Sequence, residues 1–300
     1  MPESALPLTE QVNASSGDLD ALAPGEVVAL MARAERASVE AFERAAPEVA
    51  LIAELAAGAL RDGRRIVFVG AGTSGRLGAL EAAECPPTFG SDPARVRAIL
   101  AGGPAALAGA VEGAEDRAED AVAALHAAEV GEGDLVVGVA ASGRTPFVRA
   151  ALVEARARGA KTAFIACDPA VAAERPAPAD AVAVLAVGPE VLTGSTRLKA
   201  GTATKMALNA ITTAAFAANG KVYRNLMVDV RATNAKLEAR ARRIVRALCG
   251  GTDEDAARAL AAAGGEVKLA VAMTRLGVAR AEAQRALDAA GGCLRRVIGA

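Results

Sequence analysis

Three clusters of residues have the types and spacing that chemistry requires. The first is Gly70-Ala71-Gly72-Thr73-Ser74-Gly75, which follows the apolar run Ile66–Val69 and leads into a helix-forming stretch ending in Glu84, just before Cys85-Pro86-Pro87. Strand, glycine turn and helix start make an anion socket, because free backbone N–H groups and the positive end of the helix dipole converge there. A carboxylate at Glu84, near such a socket, suggests chemistry on a phosphorylated metabolite. The second cluster, Ala141-Ser142-Gly143-Arg144-Thr145-Pro146, repeats the design after a later strand, with Thr145 suited to the cap and Pro146 to the first helical turn. Two hydroxyl-bearing helix starts at the carboxyl ends of neighbouring strands face one crevice, where open α/β sheets bind ligands. The third is Val111-Glu112-Gly113-Ala114-Glu115-Asp116, at the entry to a helix. Acids at a helix start ordinarily complement the dipole. This loop, however, borders the same crevice, so Glu84 and Glu115 can pair across a bound sugar.

Each cluster has a plainer alternative. The first turn also reads G-x-G-x-x-G, a weak dinucleotide signal by itself. A dinucleotide site needs an acid about 20 residues on, at the end of the second strand. That strand ends Ile99-Leu100-Ala101-Gly102-Gly103, without one. Thr73 and Ser74 also add hydroxyls where a pyrophosphate turn takes small apolar contacts, so a phosphomonoester fits better than NAD. A ligand-free helix cap does not need this density of glycine. Lys199 either snorkels from its helix or reaches the phosphate as a point charge. His126, the only histidine, sits in a polar helical stretch and reads as a surface residue around which no triad or metal set can be built. Cys85 reads as a small buried filler, since no basic activator lies near it.

The elements that must position these residues are short apolar strands alternating with helices. Residues 66–69, 96–100, 135–140, 162–166 and 181–187 read as strands, and 74–84, 105–128, 145–158 and 170–174 as helical. That order predicts an α/β fold, a three-layer sandwich around a parallel sheet. Residues 1–25 look partly irregular and 26–61 helical. One long helix is expected over 195–219, capped by Ser195 or Thr196 and stopped at Gly220, then a second over about 230–248, then three short helices in 253–300. The expected division is an N-terminal helical arm (1–50), a phosphosugar-binding domain (51–225) and a C-terminal helical region (226–300).

Composition narrows the function classes. The 300 residues are 53% hydrophobic, much of it alanine, and the net charge is -1. That balance offers no general attraction for nucleic acid or an anionic membrane. With no Trp and a single Tyr, base-stacking platforms are not expected. No apolar stretch is long enough to span a bilayer, the N-terminus lacks the pattern of a secretion signal, and the four cysteines form no C-x-x-C pair. A soluble cytoplasmic protein is the expectation.

GAGTSGRLGALEAAECPPTFG, VEGAED, ASGRTPFV, LTGSTRLKAGTATKMALN and GKVYRNLMVDVRATNAKL resemble the sugar isomerase domain family. Within it they resemble the N-acetylmuramic acid 6-phosphate etherases, over about residues 10–250. The resemblance implies cleavage of the D-lactyl ether of N-acetylmuramic acid 6-phosphate, giving N-acetylglucosamine 6-phosphate and D-lactate in cell-wall amino-sugar recycling. It implies no cofactor or metal, a small phosphosugar as the ligand, and a homodimer with sites near the subunit interface. Carried onto this chain, it makes Glu84 the proton donor and Glu115 the second acid/base. Ser74, Ser142 and Thr145 then serve the phosphate or sugar, and Glu112 a sugar hydroxyl; Thr73, Ser195 and Lys199 are further candidate contacts from their place in or beside these turns. A phosphosugar isomerase and a non-catalytic phosphosugar-sensing regulator are the competing functions.

Overall fold

The computed structural model describes residues 6–230 and 234–299. The chain divides into two compact units, one made of residues up to 82 with 94–212, the other of 83–93 with 213 onward. These units differ from the expected three-part division. The N-terminal arm belongs with the sheet, and the second unit takes in the short stretch 83–93 as well as the C-terminal helices.

The first unit is built on five parallel strands, β1 (Ile66–Gly70), β2 (Val96–Leu100), β3 (Leu135–Val139), β4 (Lys161–Ala166) and β5 (Ala181–Val184), in the order β2-β1-β3-β4-β5. The two central strands nearest the site, β1 and β3, are buried along their whole length, as continuous apolar runs must be when both faces are covered. Alternation along the strands divides the side chains between two layers. Val67, Val69, Val136 and Phe164 join a core with α6 (Ala118–Ala127) and α7 (Pro146–Ala157). Phe68 faces the other way, onto α4 (Gly72–Phe89), where a Cβ at Gly78 would lie 2.8 Å from the Phe68 Cβ. Helices on both faces complete the three-layer sandwich.

The stretch expected to be helical, 26–61, is three helices, α1 (Pro24–Ala34), α2 (Arg36–Arg44) and α3 (Ala46–Arg61). Pro47, in the first turn of α3, cannot donate to the preceding turn, so the chain breaks at Ala45. The helix expected over 105–128 is also interrupted. It becomes α5 (Ala105–Ala108), a 3₁₀ turn at Ala114–Asp116 and then α6, because Gly109 is extended and Gly113 adopts φ 65°. The expected helix at 170–174 is a 3₁₀ turn, Pro169–Ala173, capped by the Asp168 side chain. In the opposite direction, α4 does not stop at Glu84 but runs through Pro86 and Pro87 to Phe89. The next helix, α8 (Lys199–Ala218), begins four residues after Ser195.

The second unit packs α9 (Ala235–Cys249), α10 (Asp253–Ala262), α11 (Val267–Leu276), α12 (Arg280–Ala289) and α13 (Leu294–Ile298) around Tyr223, Val228, Ile244, Leu269 and Leu287. Among the described residues, four helices rather than three follow Gly250-Gly251. The helix expected from 230 starts at Ala235, where Asn234 accepts from the Leu237 amide; residues 231–233 lie outside the described residues. Lys268 ties this unit together, its ammonium donating to the Gly220 and Gly292 carbonyls and to Asp229.

At the amino end of the sheet, Asp134 is 2% exposed and pairs with Arg65 at 2.6 Å, while accepting from the backbone amides of Arg65 and Gly131. Burial pushes the Asp134 carboxyl up, but the guanidinium and the two amides outweigh it and hold the group below its ordinary value. Its stabilisation is therefore complete above the unfolded-state pKa and is lost as pH falls through the lower folded-state value. Asp134→Asn is expected to lower stability by about 2–4 kcal/mol near pH 7, since it strands a partly buried arginine. It should also flatten the acid-side loss of stability seen in the parent between about pH 5 and pH 2. Urea unfolding of both proteins across that range measures this.

Candidate active site

The site begins where β1 meets α4. A Cβ at Gly70 would lie 2.6 Å from the Gly75 amide nitrogen, and one at Gly75 would lie 2.5 Å from the Gly70 carbonyl oxygen and 2.1 Å from Leu100 Cδ1. Only glycine lets the helix start come this close to the strand end. The first intrahelical bond is Gly75 N–H to the Ala71 carbonyl. The amides of Gly72, Thr73 and Ser74 precede it and head an 18-residue helix, the arrangement that attracts an anion.

Beside this socket, Arg76 donates from Nε to the Ala106 carbonyl at 2.8 Å and from Nη2 to the Gly109 carbonyl at 2.7 Å. The segment that follows those carbonyls carries the two acids. Ala71, Gly72, Arg76, Val111, Glu112 and Glu115 line one cleft of about 210 Å³. Both glutamates are exposed, whereas Ala114 between them is buried in the α6–α7 core. The fold thus brings the glycine turn and the acid loop together.

The second turn lies next to the first, since Gly70 at the end of β1 is in register with Val139 at the end of β3. Gly143 has φ 70°, and a Cβ there would lie 2.2 Å from Val171 Cγ2. Ser142 Oγ accepts from the Arg144 amide at 3.3 Å, and Thr145 occupies the cap of α7 without a capping side-chain bond. Arg149, one turn into α7, holds this turn as Arg76 holds the acid loop. Its Nε donates to the Gly143 carbonyl at 2.6 Å, its two terminal nitrogens grip Glu174 at 2.5 Å each, and it lies over the Phe164 ring. The bidentate guanidinium holds the Glu174 carboxyl below its ordinary value.

Other expected contacts are placed differently. Glu84 is exposed on α4, more than three helical turns beyond Gly72, in the stretch assigned to the second unit. Ser195 is half-buried, its amide donates to the Leu192 carbonyl, and neither it nor Thr196 caps α8. That cap is Glu190, fully buried, whose carboxylate accepts from the Lys199 and Ala200 amides. Burial drives the Glu190 carboxyl up despite those amides. Lys199 is not offered to a phosphate. It is buried, with Nζ donating to the Val187 and Pro189 carbonyls at 2.8 and 2.7 Å. The two irregular carbonyls beneath the start of α8 take Lys199 as a donor, and the Pro189 carbonyl also accepts from Asn13 Nδ2 at 3.0 Å.

Sequence reasoning missed a buried polar group on α4 and α8. Glu81, 5% exposed, accepts from Lys205 Nζ at 2.5 Å and from Thr212 Oγ1 at 2.5 Å, and Lys205 also contacts Asn209. Its signal was present as polar residues at near-helical spacing (Lys205, Asn209, Thr212) in an alanine-rich helix. Among the described residues, no group of three or more His, Cys, Asp or Glu is disposed to hold a metal ion. No helix there is long and apolar enough to cross a membrane.

Family comparisons fall on this framework. Residues 48–156 match the glucokinase regulatory protein N-terminal SIS domain, and 116–214 match the SIS domain. The chain is 49% identical to the N-acetylmuramic acid 6-phosphate etherase of Mycolicibacterium smegmatis over 97% of each protein. It is 48% identical to that of Synechocystis sp. over 98% of this chain and 95% of the relative. The etherase of Deinococcus radiodurans is 46% identical over 97% and 95%. The chain belongs to the N-acetylmuramic acid 6-phosphate etherase family. In this etherase-family chain the matched SIS regions contain both hydroxyl-bearing turns and the acid loop.

Gly75→Ala is expected to force β1 and α4 apart. Its methyl group meets the Gly70 carbonyl and Leu100 inside van der Waals contact, a strain of about 1–3 kcal/mol or more. Phosphosugar binding measured by calorimetry should fall at least about tenfold, with the thermal midpoint lowered by several degrees.

Proposed function

We propose that this chain is a cofactor-independent carbon–oxygen lyase that cleaves the D-lactyl ether of N-acetylmuramic acid 6-phosphate, releasing N-acetylglucosamine 6-phosphate and D-lactate. The observation that carries the reading is the single cleft in which the anion-binding start of α4 faces Glu112 and Glu115. The near-full-length likeness to proteins named as etherases of that substrate supports it.

The residues suit the reaction. An ether is a poor electrophile, and direct displacement is slow. Opening the sugar ring exposes the C1 aldehyde, which acidifies the C2 proton and leaves the C3 ether oxygen β to a carbonyl. A carboxylate takes the C2 proton while a carboxylic acid protonates the departing lactate oxygen. Water then adds to the unsaturated aldehyde and restores the C3 hydroxyl. Each positioned acid or base supplies about a hundred- to ten-thousandfold. Two carboxyls in different protonation states are enough, with no metal or nucleotide in the scheme. Ser74, Ser142, Thr145 and the turn amides grip the six-position phosphate, and that remote binding energy serves orientation at C2 and C3. Glu115 acts from the cleft and Glu112 takes a sugar hydroxyl. Glu84 completes the pair as proton donor. The reading includes a homodimer in the cytoplasm, which leaves two sources for that donor, the same chain or a second copy.

Purified protein given N-acetylmuramic acid 6-phosphate in heavy-oxygen water is expected to release D-lactate and to carry label at C3 of the sugar. Label confined to C1 by aldehyde exchange, with no lactate, would point to an isomerase. Tight binding without any turnover would point to a sensor. Glu84→Gln should leave N-acetylglucosamine 6-phosphate binding within about threefold while kcat falls by about a hundredfold or more. Near-normal lactate release by that variant would remove Glu84 from the mechanism.

A further inference from the structure

Arg76 is the charged residue in the cleft to which the chemistry above gives no role. It stands four residues after Gly72, one helical turn from the amides that head α4. Its guanidinium reaches sideways to the carbonyls of Ala106 and Gly109. The loop that starts at Gly109 and carries Glu112 and Glu115 has few other ties. The backbone bonds of 109–116 are local, Gly109 N–H to the Ala105 carbonyl, Ala114 N–H to that of Val111 and Asp116 N–H to that of Gly113. Gly113 in the left-handed region adds a bend. At its far end the loop is anchored by Ala114, 4% exposed in the core shared with α6 and α7. At its near end the fork of Arg76 is the anchor.

We propose that Arg76 is a positioning residue that sets the distance between the phosphate socket and the acid loop. The turn of α4 that follows those amides holds, through one planar side chain, the peptide that precedes Glu112 and Glu115. A guanidinium suits this work because its donors lie in a rigid plane, so that two carbonyls held at once define an orientation as well as a distance. A lysine at this position keeps the charge and gives up the plane. Displacement of a catalytic group by about 1 Å costs about a hundredfold in rate, so the anchor matters to turnover far more than to phosphate binding. This inference rests on the etherase reading for its kinetic consequence and on the geometry alone for its structural one.

The test uses the full chain with Arg76→Ala and Arg76→Lys. Lactate release gives kcat and KM, calorimetry gives N-acetylglucosamine 6-phosphate affinity, and hydrogen exchange follows amides in 105–116 and in β1 and β3. The expected result is a kcat lower by about a hundredfold in Arg76→Ala and at least about tenfold in Arg76→Lys. Product affinity should stay within about fivefold, and exchange should quicken in 105–116 but not in the strands. Full rescue by lysine would show that charge alone suffices and would overturn the proposal. So would a kcat within twofold of the parent in Arg76→Ala, or exchange rising equally through β1 and β3. If Arg76→Ala does not fold, the lysine variant carries the same comparison. If the parent itself releases no lactate, the etherase reading fails, and the exchange data still decide whether Arg76 holds the loop.

Discussion

Much of the site depends on how closely the first turn of α4 approaches the end of β1. Gly70 and Gly75 meet backbone to backbone, with no room for a Cβ on either. This contact draws the helix start against the sheet at the carboxyl end of β1, beside the cleft that Gly72 lines. It also sets where the next turn of the helix lies, and therefore where Arg76 reaches. The adjacent strand order places the second turn beside the first. A wider approach at Gly75 would move the start of α4 and the loop that Arg76 contacts together.

The charged groups around this contact do different kinds of work according to their burial. Arg76 and Arg149 are partly buried, and each bonds to backbone carbonyls of the turn beside it. Glu190 and Lys199 are buried and satisfy the irregular segment before α8. Glu112 and Glu115 are exposed and line a cleft, open to a ligand. The same residue types thus divide by accessibility into buried groups that hold the scaffold and exposed groups that line the cleft. Position along the chain does not make that division: Lys199 lies in a motif of the family, and its ammonium nonetheless faces two carbonyls.

Local patterns were sufficient for the sheet and for both turns. Five apolar runs, each four to seven residues long and bounded by turn signals, became five strands within a few residues, because continuous apolar sequence has one stable place in a parallel sheet. The glycine turn, the Ser142 turn and the acid loop were legible because each needs residue types that little else requires. Helix ends were less legible. Pro86 and Pro87 did not stop α4, and glycines at 109 and 113 broke a stretch whose alanines favour helix.

The amino-acid sequence alone determined the fold class, the two hydroxyl-bearing helix starts and the family to which the chain belongs. These depend on local composition and on long motifs that are specific wherever they occur. Tertiary structure alone decided which side chains reach which atoms. It turned Lys199 inward to Val187 and Pro189, gave the cap of α8 to Glu190, paired Glu81 with Lys205 and Thr212, and set Arg76 on the carbonyls before the acid loop. The reason is that a long polar side chain is directed by the partners left unsatisfied around it after packing, and those partners come from segments far away in the chain.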